Sequence, residues 1–424
     1  MSELYKLPAG WEWEKLGNLC NLLNGFAFKA KDYVNSSNTV LVRMGNIRPN
    51  GVFDAKHKVK YLPDEYAEKL KNYILYDGDL IIAMTDMASD MRILGIPTIV
   101  ENTTSSVFLL NQRVGKLYDF KIDKVSVEYL KYILSVSQIK EYYKSLGGGG
   151  LQINIGKQQI LSVKIPLPPL AEQKRIVAKL DSLFEKIDKA IELHQQNITN
   201  ANTLMASALD KTFKKLEGEY GNKTLSDSVE NPKKDIVDGP FGSNLKATEY
   251  IQKGVPIIRI QNIQRLEFVN KDIKFVSEEK AEFLKRHSFI ASDIVITKLG
   301  EPLGKSCIVP DNLERGIIVA DIIRVRVDSS KSKNKYIMYA INSAIAINQF
   351  SENSMGSTRQ RVKLSIVRDL KIPLPPLPIQ QQTVEYLDSI ATKVDKIKQL
   401  NEQKLENLKA LKASILDKAF RGEL

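Results

Sequence analysis

The sequence predicts a mixed α+β chain built as a tandem repeat: two α/β domains, each followed by one long helix. Three observations carry this expectation. A heptapeptide recurs in register with the segment that follows it, those segments repeat apolar residues every three or four positions, and the stretches between them mix β-branched runs with turns.

The duplication comes first. KIPLPPL at 164–170 returns at 371–377, 207 positions later, and the offset then holds without a gap. Leu180 opens LDSLFEKIDKAI where Leu387 opens LDSIATKVDKIK, and Ser207 opens SALDKTF where Ser414 opens SILDKAF. Apolar or small residues fall at Ile176, Leu180, Leu183, Ile187, Ala190, Ala201, Leu204 and Ala208 in the first copy. The second copy has Val384, Leu387, Ile390, Val394, Ile397, Leu405, Leu408, Leu411 and Ile415. Steps averaging about 3.5 describe a coiled-coil seam, with charged and amide residues on the outer positions. The prolines ahead of each copy mark where a helix can begin, because proline is tolerated in the first turn and breaks an interior. Each helix is expected to run about 40–45 residues, or roughly 60–68 Å at about 1.5 Å per residue. His194 and Asn401 lie near the seam, where a polar residue fixes register at some cost in stability.

The segments outside the helices read as compact α/β domains. Their β-branched runs include TVLVRMGNI (39–47), GDLIIAMT (78–85), VPIIRIQNI (255–263), SDIVITKLG (292–300) and GIIVADIIRVRV (316–327), separated by turns and short helical stretches. The halves align loosely here: VRMGNI at 42–47 matches IRIQNI at 258–263, and DGDLIIAMT matches ASDIVITKL. The expected boundaries are residues 1–166 for the first domain, 167–217 for a central helix, 218–373 for the second domain and 374–424 for a distal helix. Similar frameworks with dissimilar polar tips suit a device that reads two different things.

Composition narrows the class. The 424 residues are 43% hydrophobic and 26% charged, as expected of a globular protein with real cores. No run of about 18 apolar residues occurs and the start lacks the pattern of a secretory signal, so a cytoplasmic protein without a membrane span is expected. Cys20 and Cys307 belong to no CxxC, and the three histidines form no HExxH, so no metal site is expected. The formal charge of +12 favours a polyanionic partner, nucleic acid above all.

At this point the residues resemble a family. LPAGWEWEKLG (7–17), GPFGSNLKATEY (239–250), the paired IPLPPL helices with AEQKRIVAKLDSLFEKID, and the terminal AFRGEL are similar to the specificity subunits of type I restriction–modification systems, over essentially the whole chain. Where the first helix begins AEQKRIV (171–177), the second has PIQQQTV (378–384), so only a glutamine, Gln173 or Gln380, persists. The resemblance implies two target-recognition domains, each binding one half of a split, asymmetric double-stranded DNA sequence. It implies that the helices pair antiparallel as a spacer, making the tandem repeat a pseudo-two-fold object, and that they dock two modification subunits. Domains arranged about such an axis meet DNA about one helical turn apart. The resemblance assigns S-adenosylmethionine to the modification subunits and ATP and Mg²⁺ to restriction subunits, leaving no cofactor to this chain.

The residues themselves also lack a catalytic apparatus. No (N/D)PP(Y/F) loop is present to hold a target base, and NPKK at 231–234 is not one. GEPLGKS (300–306) is one residue short of a P-loop, and PDEYAEK (63–69) reads as an acidic helix start rather than a nuclease motif. GGGG at 147–150 reads as a flexible loop. A subunit of a methylation-only complex, a stand-alone methyltransferase or nuclease, and a coiled-coil scaffold with incidental basic charge stay open as alternatives.

Base edges in the major groove are read by Arg on guanine and by Asn or Gln on adenine, while Lys mostly holds phosphate. The richest stretch is MGSTRQRVKLSIVRDLK (355–371), with Arg359, Gln360 and Arg361 leading; its partner 207 positions earlier is GGGLQINIGKQQI (148–160), with Gln152, Asn154 and Lys157. A second corresponding pair is GPFGSNLK (239–246), with Ser243, Asn244 and Lys246, and NGFAFKAKDY (24–33), with Lys29 and Lys31. The strand ends add Arg43 and Asn46 in the first domain and Arg259, Gln261, Asn262 and Lys298 in the second. Replacing Arg359 and Arg361 together by Ala is expected to relax one half-site only, at about 1–3 kcal/mol for each good bidentate hydrogen-bonded pair removed. A binding competition against each half-site separately checks this, and equal weakening on both would make these residues phosphate anchors or structural.

Overall fold

Buried β-branched runs have to be covered on both faces, and the chain does this twice with the same pair of sheets. The computed structural model describes residues 5–300, 302–354 and 360–424. The chain divides into two compact units, residues 1–193 with 403–424, and residues 194–402. In the first unit a four-stranded antiparallel sheet runs Asn21–Asn24, Val114–Tyr118, Leu80–Ala83, Pro97–Ile99. A second runs Tyr61–Leu62, Thr39–Val42, Val107–Leu110, Ile74–Leu75, and its central pair is parallel. The second unit repeats both. One sheet orders Ile236–Asp238, Ile322–Val325, Ile294–Thr297, Ser306–Ile308, and the other Lys274–Val276, Val255–Ile258, Arg315–Ile318, Ser288–Ile290, again with a parallel central pair.

Two glycines allow close backbone approach at equivalent places in the two frameworks. A Cβ on Gly25 would lie 2.2 Å from the carbonyl oxygen of Asn111, and one on Gly239 would lie 2.0 Å from that of Val319. Each head closes on a two-stranded ladder that joins its beginning to its end: Glu12–Lys15 with Lys164–Leu167, and Asn222–Thr224 with Lys371–Pro373. The second strand of each ladder leads straight into a long helix.

The central helix spans Leu170–Tyr220 and the distal helix Leu377–Ala419, 51 and 43 residues. The first is longer than its heptad pattern predicts, because nothing breaks it before Gly221, whose left-handed φ of +65° ends it. The divisions between units cut both helices, so each unit pairs the first half of one helix copy with the second half of the other. In the first unit Ile176, Leu180, Phe184 and Ile187 share a core with Leu416, Ala419 and Phe420. Arg175 donates to the Leu424 carbonyl and Asp188 meets Lys412 at 2.7 Å, so numbers rise on one helix as they fall on the other. In the second unit Ala201, Met205, Leu209 and Phe213 share a core with Val384, Leu387 and Val394. His194 Nδ1 lies 2.7 Å from Asn401 Oδ1 there, so the two copies of one repeat position meet each other. Three expected seam residues differ: Leu204, Ile397 and Leu411 are exposed, and Met205, Leu209 and Leu416 are buried in the interior instead. Among the described residues no helix is long and apolar enough to cross a membrane.

The helix starts are locked to their heads. Gln173 is fully buried; its Oε1 accepts from the Ser126 N–H, and its Nε2 donates to the carbonyls of Lys124 and Pro168. Gln380 does the same with the Lys333 N–H and the carbonyls of Lys331 and Pro375. The glutamine shared by the two motifs therefore has an internal purpose.

The strand-end asparagines also turn inward, which corrects the expectation that Asn46 and Asn262 read bases. Asn46 is 3% exposed and Asn262 fully buried. Asn46 Oδ1 accepts from the Arg43 N–H and its Nδ2 donates to the carbonyls of Asp54 and His57. Asn262 accepts from the Arg259 N–H and donates to Val269 and Lys271. The arginines serve the same loops: Arg43 donates to the Lys58 carbonyl and Arg259 to that of Asp272, both residues of left-handed φ. An Arg-x-x-Asn clamp therefore shapes the loop after the parallel strand in each head, so Arg43 and Arg259 are tied into it as well. Asn262→Ala strands a buried N–H and two carbonyls, and is expected to destabilise the second unit by about 1–3 kcal/mol. Thermal unfolding would register this, while the DNA sequence preferred by the surviving folded protein stays the same.

Candidate nucleic-acid interface

In the second unit the turn Val319–Asp321 joins strands Arg315–Ile318 and Ile322–Val325, and four of the expected DNA-reading residues, Arg259, Gln261, Lys298 and Arg361, gather around it. The Lys298 N–H donates to the Asp321 carbonyl at 2.7 Å, and the Val362 N–H donates to the Lys298 carbonyl at 3.1 Å. Leu299 bridges to Arg361, so a strand end, the turn and the segment ahead of the distal helix lie side by side. The Arg361 guanidinium pairs with Asp321 at 2.9 Å, and Lys298 pairs with Asp238 at 2.9 Å. The glycine-rich loop 239–246 completes an open hollow of about 330 Å³, lined by Pro240, Leu245, Tyr250, Arg259, Gln261 and Asp321.

The electrostatics of this hollow are mixed rather than purely cationic. Arg259 and Gln261 both donate to Asp272, and Lys274 meets its other oxygen at 2.6 Å. Hydrogen bonds from Lys274, Arg259 and Gln261, in that order, hold the Asp272 carboxyl well below the usual range. Ser243, Asn244 and Lys246 are exposed, with backbone geometry set by the Asn244 N–H on Phe241 and the Lys246 N–H on Glu249. Gln360 is exposed, and Arg359 lies outside the described residues. Arg368, farther along the same basic stretch, is committed to the Ile236 carbonyl.

The first unit builds the same crossing from different side chains. Met84 takes the place of Lys298: its N–H donates to the Arg113 carbonyl at 3.0 Å, and its carbonyl accepts from Ile155 at 2.9 Å. Strand Gln152–Asn154 pairs with Thr85–Met87, which sets exposed Asn154 beside this crossing. Asn154 Oδ1 accepts from the Thr85 hydroxyl at 2.6 Å. Gln152 is half-buried on that strand, and Lys157, also half-buried, opens the helix Lys157–Leu161. Lys29 and Lys31 are exposed on a loop whose start, Phe26, accepts from the Gln112 N–H.

The GGGG segment departs from the flexible loop expected of it. Gly148 and Asn154 exchange backbone hydrogen bonds, and a Cβ on Gly149, at φ +138°, would lie 2.0 Å from the Gln152 carbonyl oxygen. The glycines make a tight turn that holds Asn154 in place. Sequence reasoning also passed over Gln112, Arg113 and Asp321. The signal was present as polar residues interrupting two buried strand runs, VFLLNQRVGKLY and GIIVADIIRVRV. Both cysteines are buried, which pushes each thiol up to about 12 and leaves neither as a ready nucleophile.

Comparison with known proteins agrees with this architecture. A family model described as "Type I restriction modification DNA specificity domain" matches twice, at residues 8–202 and 234–409. The EcoBI specificity subunit of Escherichia coli is 24% identical, with 99% of this chain and 88% of that one covered. The EcoKI specificity subunit of Escherichia coli (strain K12) is also 24% identical, covering 99% of this chain and 90% of its own length. A solved structure, described as the structural basis underlying complex assembly and conformational transition of the type I R-M system, superposes with a TM-score of 0.70. It is 21% identical and covers 99% of this chain and 100% of that one, which shows the shared fold. Two matches to one family model, falling on the two halves of an internal repeat, settle the assignment: the chain belongs to the type I restriction–modification DNA specificity family.

Proposed function

We propose that this chain is the DNA-recognition subunit of a type I restriction–modification complex, each head reading one half of a two-part DNA sequence, with no catalysis of its own. The observation that carries this is the repeated crossing: one framework presents Lys298, Asp321 and Arg361 in one head and Met84, Arg113 and Asn154 in the other. A repeated scaffold with unlike polar tips is what reading two unlike half-sites requires. The net charge of +12 supplies the attraction to phosphate. In this reading S-adenosylmethionine, ATP and Mg²⁺ act in partner subunits, and the chain works in the cytoplasm, where the DNA it reads lies.

The helices support two modification partners. Each unit exposes one leucine from each helix, Leu193 and Leu411 in the first, Leu204 and Leu400 in the second. The repeat relates Leu193 to Leu400 and Leu204 to Leu411, so the units carry equivalent apolar positions. Single exposed leucines are ordinary by themselves; it is their repeat-equivalent placement in the two units that supports one modification subunit on each, two in all.

Two measurements test these points. Methylome sequencing of cells with and without the gene is expected to show one split motif that disappears with it; an unchanged methylome in cells making the modification partner would overturn the proposed function. Leu193→Asp with Leu411→Asp is expected to reduce the assembly from two modification subunits to one by mass photometry, and Leu204→Asp with Leu400→Asp to do the same. Full assembly in both variants would remove these leucines from the interface.

A further inference from the structure

The geometry points to two residue pairs as the base-reading elements, Asp321 with Arg361 in the second head and Arg113 with Asn154 in the first, and it assigns a G·C base pair to the former. This rests on the chain being a DNA-recognition subunit and goes beyond it by naming what is read and by which atoms.

The argument starts from position. Asp321 and Arg113 both end the turn between the parallel-sheet strand and the strand that crosses back, and both give their carbonyl to the residue after the adjacent strand, Lys298 or Met84. Arg361 and Asn154 both precede the residue whose N–H donates back to that same Lys298 or Met84. The backbone at these four places is therefore pinned by the same pattern of hydrogen bonds, and the side chains differ. Arg361 is 60% exposed and Asp321 28%, so the pair is open at a surface rather than sealed in a core.

The chemistry follows from the donor and acceptor patterns of base edges. Arg361 touches Asp321 through one Nη and one Oδ1, which leaves further N–H groups of its guanidinium fork and the second carboxylate oxygen uncommitted by that contact. A guanine offers O6 and N7 to an arginine fork, and its paired cytosine offers the N4 amine to a carboxylate, so an Arg–Asp pair in contact matches the major-groove edge of one G·C pair. No other base pair presents both, and a carboxylate facing an acceptor-only edge or a phosphate is repelled. Asp321 also orients Arg361 before DNA arrives, lowering the entropy cost of binding. In the first head Asn154 Oδ1 accepts from Thr85, which fixes the amide's orientation; that oxygen retains a second lone pair, and Nδ2 carries two donors. An amide so oriented has the acceptor and donors that adenine N6 and N7 require, and exposed Arg113, whose carbonyl holds the Met84 N–H, suits guanine.

The test uses the assembled modification complex and the motif found by methylome sequencing. Arg361→Ala is expected to lose discrimination at one G·C pair of one half-site, weakening binding to the cognate duplex by about 5- to 150-fold while leaving the other half-site's preferences intact. Replacing that guanine by 7-deazaguanine, which lacks N7, is expected to weaken the unaltered complex and to have no further effect on Arg361→Ala. Asp321→Arg combined with Arg361→Asn, which installs the first head's pair, is expected to change the preferred base in that half-site alone. Unchanged preferences in both variants, or a uniform weakening on every sequence, would overturn the inference while a two-part motif in the unaltered complex leaves the proposed function standing. Absence of any motif in the unaltered complex would overturn both.

Discussion

In each unit the joint between head and long helix depends on a buried glutamine. Gln173 and Gln380 sit at the first turn of their helices with the whole amide used on backbone groups of the head. The first turn of a helix has N–H groups without partners and is prone to fray, so a joint there would ordinarily hinge. Here the amide spans from the proline-rich entry, through the Pro168 or Pro375 carbonyl, to the loop before a head helix. Tyrosines reinforce the joint at repeat-equivalent places: Tyr129 and Tyr336 donate to the Pro166 and Pro373 carbonyls, and Tyr132 and Tyr339 donate to Asp181 and Asp388 on the long helices. Removing the glutamine would leave several buried polar groups unpaired, each at about 1–3 kcal/mol, so the junction is costly to loosen.

That lock explains how the helix pair is divided. In both units the first half of one helix copy carries the head and the second half of the other copy covers it. The interior residues are correspondingly unlike a uniform heptad. Large side chains, Phe184 and Phe420 in one unit and Phe213 in the other, fill the space where helix meets head, and alanines occupy positions such as Ala201 and Ala208. Where His194 meets Asn401 the seam turns polar, and Asn401 also donates to the Ile397 carbonyl one turn back. A hydrogen-bonded pair at that place is satisfied in one register, since a slip along the seam would set each polar group against an apolar neighbour.

How much of this was legible depended on whether the information was contiguous. The helices and the repeat offset were readable because apolar period and identity both survive over about fifty positions in a row, while the antiparallel pairing came from the family resemblance. The heads were readable only as strand runs, because insertions shift the offset: it is 214 at Gly25 and Gly239, 208 at Arg113 and Asp321, and 207 at Asn154 and Arg361. Residue chemistry was a weaker guide than place. Asn46 and Asn262 have the side chain that reads adenine, yet each stands three residues after a strand-end arginine, where it caps its own backbone. Asp321 is an acid, and a search for cations passed over it; its importance lies in a contact with a residue forty positions away. Gln173 persisted between the two motifs with no purpose assigned to it, because sequence does not say whether an amide faces in or out.

The acids around the second head's hollow bear on how a basic protein avoids binding all DNA alike. Lys298, Arg259 and Arg361 each face a carboxylate, Asp238, Asp272 and Asp321. A phosphate must displace or tolerate that carboxylate, so these cations contribute less to sequence-independent attraction than their number suggests. The Arg361–Asp321 pair is the exposed one, and such a pair is worth only about 0–1 kcal/mol, so its restraint is readily overcome where the correct base edge offers two acceptors in the right plane. Lys29, Lys31 and Lys246 are exposed on loops and better suited to phosphate. In the proposed reading, charge that attracts and charge that discriminates are carried by different residues. The discriminating set stands on backbone pinned by hydrogen bonds between framework strands, so its side chains can be exchanged without disturbing the core beneath.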